Sequence, residues 1–280
     1  VSSGLASAPR AVWLTLAAIV AAVNLHATYI IGSVQSYGWV VAFSNLFGLS
    51  AILLFALYGL WTIGQEDSAA GTQRRLSRAD AVVLGVALLA SLIPWHIAAF
   101  AALVLLAGWC WITSVTGSVE RRAAVIMLAI AGSIAIGRIL LHSVGDNVVS
   151  LDAQFVGWLA GVPVRGNVVD FASTGASTPS FIVGLPCSSV HNMSQAVLLW
   201  ATVTQLLRQK IDAALVGFAV MAMLGLFLVN AVRLAAMAWY PAHFETIHNG
   251  IIGELFGLAS LIVAALIVAA GALHAHRRQT

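Results

Sequence analysis

Residues 213–240 read AALVGFAVMAMLGLFLVNAVRLAAMAWY, 28 positions interrupted by one charged side chain, Arg233. About 20 apolar residues cross a hydrocarbon core as a helix, so this run predicts a membrane span. A lipid-facing barrel strand would alternate polar and apolar positions, and this run does not. The same reading carried outward gives eight spans: Ala11–Val34, Gly38–Gly64, Asp80–Pro94, Trp95–Val115, Ala123–Val144, Val190–Leu207, Ala213–Tyr240 and Ile251–Leu273. The third and fourth are separated at Pro94-Trp95, because one kinked helix over both would run to about 36 residues, far too long for one crossing. The fold class predicted is an all-α polytopic membrane protein of about eight transmembrane helices, a single integral membrane domain over residues 1–280.

Composition points the same way. Of 280 residues, 61% are hydrophobic and 8% charged, and the mean hydropathy is +0.97. A soluble domain carries about 25% charged residues. Too little polar surface is available to coat a soluble enzyme, a nucleic-acid binder or a disordered chain. The 13 basic residues are sparse, so no nucleic-acid partner is expected. Their placement sets orientation instead. Ten of them, Arg10, Arg74, Arg75, Arg78, Arg121, Arg122, Arg208, Lys210, Arg277 and Arg278, fall on one side of the eight-span arrangement. Arg165 alone lies in the opposite loops, and Arg138 and Arg233 lie within spans. The positive-inside rule then places both termini in the cytoplasm. The first span is long, lacks an A-x-A site and is followed at once by another span, so it is not expected to be a cleavable signal peptide.

One sizeable segment is expected outside, residues 145–189. Leu151–Gly161 (LDAQFVGWLAG) places Phe155, Trp158 and Leu159 on one helical face, which suits an amphipathic helix at the interface. Val162–Val164 and Val168–Phe171 flank the turn residues Arg165-Gly166-Asn167, and Phe181–Val183 follows a Ser/Thr/Gly/Pro-rich stretch; these predict a small β-hairpin. The segment ends at Gly184-Leu185-Pro186-Cys187-Ser188-Ser189, a thiol at the start of the sixth span. A bare connector would serve equally well without these features.

The two cysteines, Cys110 and Cys187, show neither metal-ligand spacing nor a disulfide framework, and no cofactor or metal is expected. Cys110, between Trp109 and Trp111, reads as a structural thiol of the fourth span. Cys187 stands at a helix N-terminus, whose partial positive charge favours a thiolate. Arg233 is costly inside a span, by about 2.5–3.5 kcal/mol at the bilayer centre on insertion scales. It should therefore face the bundle or a wet cavity, with Asn230 one turn earlier to orient it. Arg138, with His142 one turn on, raises the same question and is taken as supporting. His248 opens the last span, and His243 lies in the same short outer loop. The orientation places Cys187, Arg233 and His248 at the outer ends of three successive spans. A nucleophile, a cation for an oxyanion and a base in one layer suit acyl transfer through a thioester.

The ordered set of motifs resembles the exosortase/archaeosortase family of membrane cysteine transpeptidases. The resemblance rests on the amphipathic segment, GVPV at Gly161–Val164, GNVV at Gly166–Val169, an apolar strand, PCSS at Pro186–Ser189, NAVR at Asn230–Arg233 and the histidine opening the last span. It covers about 120 residues of the C-terminal half. It implies an eight-span protein of a bacterial or archaeal cytoplasmic membrane with a Cys–Arg–His site on the outer face. The substrate implied is a membrane-anchored protein whose C-terminal sorting signal joins a short motif, a hydrophobic span and a basic tail. Cys187 would be the nucleophile, Arg233 the stabilising arginine and His248 the proton-transfer partner, with Asn230, Arg138, Ser188 and His243 in support. The acceptor in the second step is an amine or water. Two departures stand out: Ser189 replaces the glycine of the family's C-S-G, and the glycine expected four positions after the histidine is Ile252, with Gly253 next. The second leaves His243 as an alternative to His248. From other classes, a small-solute transporter built on Arg138, His142 and Arg233, or a non-enzymatic assembly subunit, would share the same hydropathy.

Overall fold

The computed structural model describes residues 9–69, 75–93, 95–135, 141–170, 180–184, 187–248 and 250–279. Arg138 lies outside them. The helices are α1 (Arg10–Leu25), α2 (Ala27–Ser44), α3 (Ala51–Ala69), α4 (Arg78–Leu92), α5 (His96–Thr113), α6 (Val119–Ala135), α7 (Leu141–Ala160), α8 (Ser189–Leu206), α9 (Ala213–Trp239), α10 (Phe244–His248) and α11 (Ile251–Gln279). Between α7 and α8 lie three short strands, β1 (Val164–Arg165), β2 (Val168–Asp170) and β3 (Ser180–Ile182), forming one antiparallel sheet in that order. The expected hairpin is thus joined by a third strand.

The all-α class holds. Among the described residues, α5, α9 and α11 are long and apolar enough to cross a membrane, and the bent pair α1–α2 makes a fourth if taken as one span. Among the described residues eight full-length spanning helices are not displayed, for physical reasons specific to each element. With 15 residues in α4, a rise of about 1.5 Å per residue leaves it short of a core roughly 30 Å thick. α8 reaches 18 residues but carries serine, histidine, asparagine and glutamine along its length. The first expected span, Ala11–Val34, is broken at His26 by a bend of 53°, and Gly38 breaks α2 again at φ +74.

Two compact units are distinguished, residues 1–131 with 201–210, and residues 132–200 with 211–280. The first unit is tied at one set of helix ends by buried ion pairs. Arg10, read from sequence as an orienting loop cation, is fully buried. It donates to Asp80 Oδ1 at 2.8 Å, Ser114 Oγ at 3.0 Å, Glu120 Oε1 at 3.1 Å and Thr113 Oγ1 at 2.6 Å. Asp80 also accepts from Trp109 Nε1 and closes a capping box with Ser77 at the start of α4. One guanidinium thus joins the N-terminal ends of α1, α4 and α6 to the C-terminal end of α5. Arg122 pairs with Glu66 of α3 and donates to the carbonyl oxygens of Gln205 and Leu206. Those carbonyls end α8, where a helix lacks internal donors.

In the second unit α9 packs along α11. Gly225 makes room for Val263, and Gly271 for Phe218: a Cβ on either would come within 2.8 Å of the neighbour. Asp212 accepts from the amide of Leu215 and pairs with Arg278, bringing the start of α9 to the end of α11. The amphipathic segment read over Leu151–Gly161 is the second half of a longer helix, α7. Trp158 on it is 76% exposed, while Phe155 packs on Phe227 with ring centroids 4.9 Å apart.

Candidate active site

The GVPV and GNVV motifs have structural work to do. Gly161 ends α7 with φ +71, and Val162 donates to the carbonyl of Gly157, which is the hydrogen bond of a Schellman turn. The chain then enters β1. Gly157 lets the sheet lie close on α7, since a Cβ there would collide with the Val164 side chain. Gly166 takes φ +61 in the two-residue turn between Arg165 and Val168, where glycine carries no steric cost. Asn167 grips the chain beyond β3 twice: its carbonyl accepts from Val183 N at 2.8 Å and its Nδ2 donates to Val183 O at 3.2 Å. Val169, Phe181 and Val183 enter one apolar cluster with Val149, Ala153 and Val156 of α7, Leu234 of α9 and Ile247 of α10, and Cys187 packs against it. The sheet is therefore a bracket that holds the Cys187 segment.

Within this unit Cys187 Sγ lies 3.7 Å from His248 Nε2, across 61 residues of sequence. The thiol donates to Nε2 when the ring proton resides on Nδ1. His248 is held on three sides. Its ring stacks on Phe244, centroids 5.4 Å apart and planes 14° from parallel, and Phe244 in turn packs against Phe181. Arg233 Nη2 donates to the His248 carbonyl at 2.7 Å and Nε to that of Ile247 at 3.5 Å. Gly253 gives α11 room beside the same two carbonyls, which a Cβ would approach to 2.8 and 2.9 Å.

The other expected residues are distributed as follows. Asn230 does not orient Arg233; its Nδ2 donates to the Cys187 carbonyl at 2.9 Å and to Ser189 Oγ at 3.2 Å. Asparagine, one turn before the arginine, thus anchors the thiol while the arginine anchors the histidine. Ser188 is fully buried and its Oγ accepts from Val190 N, within the first turn of α8. His243 is exposed in the 3-10 turn Pro241–His243, so His248 is the histidine that reaches the thiol. Cys110 and Cys187 are both free.

The thiol itself departs from expectation. Burial pushes the Cys187 pKa above that of an ordinary thiol, and the Arg233 charge opposes this only in part. The direction is the reverse of the one expected from a helix N-terminus alone. Sequence reading also missed Asp152, whose buried carboxylate accepts from Ser189 N at 2.9 Å, and Phe244. Neither stands in a motif: Asp152 lies in the amphipathic run Leu151–Gly161 and Phe244 in the short polar stretch from His243 to His248. Among the described residues no group of three or more histidine, cysteine or acidic side chains gathers as for a metal ion.

No protein-family model matches the chain, and no curated protein or solved structure is significantly similar to it.

Proposed function

We propose that the protein is a membrane-embedded cysteine peptidase or transpeptidase of the exosortase/archaeosortase type. It acts at the outer face of a bacterial or archaeal cytoplasmic membrane on exported proteins bearing a C-terminal motif, a hydrophobic span and a basic tail. The observation that carries this reading is the approach of Cys187 Sγ to His248 Nε2 at 3.7 Å. A thiol beside an imidazole, with a guanidinium close enough to act on the thiol's charge, is the set that thioester chemistry requires.

The chemistry follows from the geometry. With the thiol neutral at rest, His248 Nε2 takes its proton as sulfur attacks the scissile carbonyl carbon. A C–S bond forms and the carbonyl oxygen becomes an oxyanion. Arg233 commits Nε and one Nη2 proton to the carbonyls of residues 247 and 248, leaving Nη1 for that oxyanion. The imidazolium then gives its proton to the leaving nitrogen as the C–N bond breaks. In the second step an acceptor amine or water loses its proton to His248, attacks the thioester and restores the thiol.

The ion pairs support the eight-crossing arrangement, and the positive-inside rule assigns the side they share to the cytoplasm. In that topology the starts of the first, third and fifth spans and the end of the fourth share one side, and Arg10 bonds to groups at all of these ends. Arg122 likewise pairs the fifth span's start with the ends of the second and sixth, and Asp212–Arg278 pairs the seventh's start with the eighth's end. The short helix α4 then crosses a locally thinned bilayer or extends through its flanking turns. A transporter or scaffold gives no account of the thiol–imidazole pair.

The test is Cys187→Ser in cells that express an exported protein with such a tail. The variant should insert normally and leave the tail uncleaved. Cleavage at the wild-type rate would refute the nucleophile.

A further inference from the structure

We propose that Asp152 is a positioning residue for the nucleophile, its buried carboxylate clamping the first turn of α8 and offsetting the positive end of that helix beside Cys187. The proposal rests on the cysteine-nucleophile reading above. Asp152 is 6% exposed, in a helix that precedes Ser189 by 37 residues, and its Oδ2 accepts from Ser189 N at 2.9 Å. A buried carboxylate is costly unless hydrogen-bonded to a donor that needs it. The start of α8 already has a local cap, since Ser188 Oγ accepts from Val190 N. A second, charged cap brought from α7 therefore does more than close the helix.

It fixes the register of the segment. Cys187 N donates to Gly184 O, the Cys187 carbonyl accepts from Asn230, Ser189 Oγ accepts from Asn230, and Ser189 N donates to Asp152. The backbone immediately after the thiol is thus held by two buried side chains from two other helices, and a backbone turn to Gly184 holds it before. It also sets the charge. A bare helix N-terminus carries about half a positive charge and promotes a thiolate, whereas a carboxylate on that terminus cancels the field. Among the described residues, His191 follows in the first turn of α8, Arg233 on α9 acts on the thiol's charge and His248 on α10 contacts the sulfur. Arg233 and Asp152 then act in opposite senses on the sulfur, and proton removal is left to His248 at the moment of attack.

The test uses the full-length protein in detergent with Cys110→Ser as background, so that Cys187 is the single thiol, and follows alkylation by iodoacetamide against pH. Asp152→Asn keeps an oxygen for the Ser189 amide and removes the charge. Its alkylation profile should shift to lower pH, with a several-fold faster rate at neutral pH than the parent. Asp152→Ala should share that shift but lose the clamp, and its processing rate should fall at least tenfold below that of Asp152→Asn. A profile for Asp152→Asn superimposable on the parent overturns the proposal, even if Asp152→Ala fails to fold. Alkylation needs no substrate, so the shift stands or falls separately from the peptidase reading, which fails if the wild-type protein processes nothing.

Discussion

Arg233 Nη2 donates to the carbonyl oxygen of His248 at 2.7 Å, so the guanidinium holds the backbone of the histidine that faces the Cys187 thiol. Lysine places one ammonium on a flexible stem and cannot span two carbonyls while directing a further donor at an oxyanion. Arg233→Lys should leave membrane insertion near normal and lower turnover by about 100- to 1000-fold, the range for a lost oxyanion donor. Timed processing of the target checks this, and an undiminished rate would remove Arg233 from the chemistry.

The thiol's protonation has a sign that can be worked out. Burial raises the Cys187 pKa, so the thiolate fraction at neutral pH is smaller than for an exposed thiol. Alkylation should be slower than that of a free thiol at pH 7 and climb through a midpoint above the ordinary one. A raised folded-state pKa also contributes stability that is complete below the unfolded value, about 8.5, and is lost as pH rises through the folded one. Fast labelling at neutral pH would show a resting thiolate instead.

Gly253 sits against the carbonyls that Arg233 reads. Its Cβ would come within 2.8 Å of Ile247 O and 2.9 Å of His248 O, and backbone cannot yield as a side-chain tip can. Gly253→Ala should cost about 1–3 kcal/mol by overpacking and depress processing further by moving His248. Thermal unfolding in detergent alongside an activity assay checks both; a neutral substitution would mean α11 does not set the histidine's position.

Arg10 holds two buried carboxylates, Asp80 and Glu120. Removing one partner of such a cluster typically costs about 3–5 kcal/mol, because charge is left buried and unpaired. Arg10→Leu should therefore lower thermal stability markedly, while breaking the exposed, solvent-screened pair Arg278–Asp212 should leave it nearly unchanged. Equal effects from both would contradict the burial assigned to Arg10.

Much of the fold was legible because hydropathy reads directly as helices: α9 and α11 begin within a residue of the expected spans. The break between α4 and α5 was visible in Pro94. The bend at His26 was not, because residues 11–65 carry no charge and no proline, so nothing in the pattern marks a stop. The reach of α7 back to Leu141 was hidden for the opposite reason: residues 145–147, Gly-Asp-Asn, read as a loop although the helix passes through them. Cys187, Arg233 and His248 stood out as costly or reactive groups in apolar surroundings. Asp152 and Phe244 did not, since their roles appear only when α7 meets α8 and the stacked ring meets the imidazole. Asn230 was noticed for its neighbour in sequence, but the partner it takes is 43 residues away.

The most direct measurement compares the C-termini of exported and membrane proteins from cells carrying the wild-type chain with those from cells carrying Cys187→Ala. The account predicts that at least one protein loses a hydrophobic C-terminal segment in the first and retains it in the second, with both variants equally abundant in the membrane. Identical C-termini in the two would contradict it.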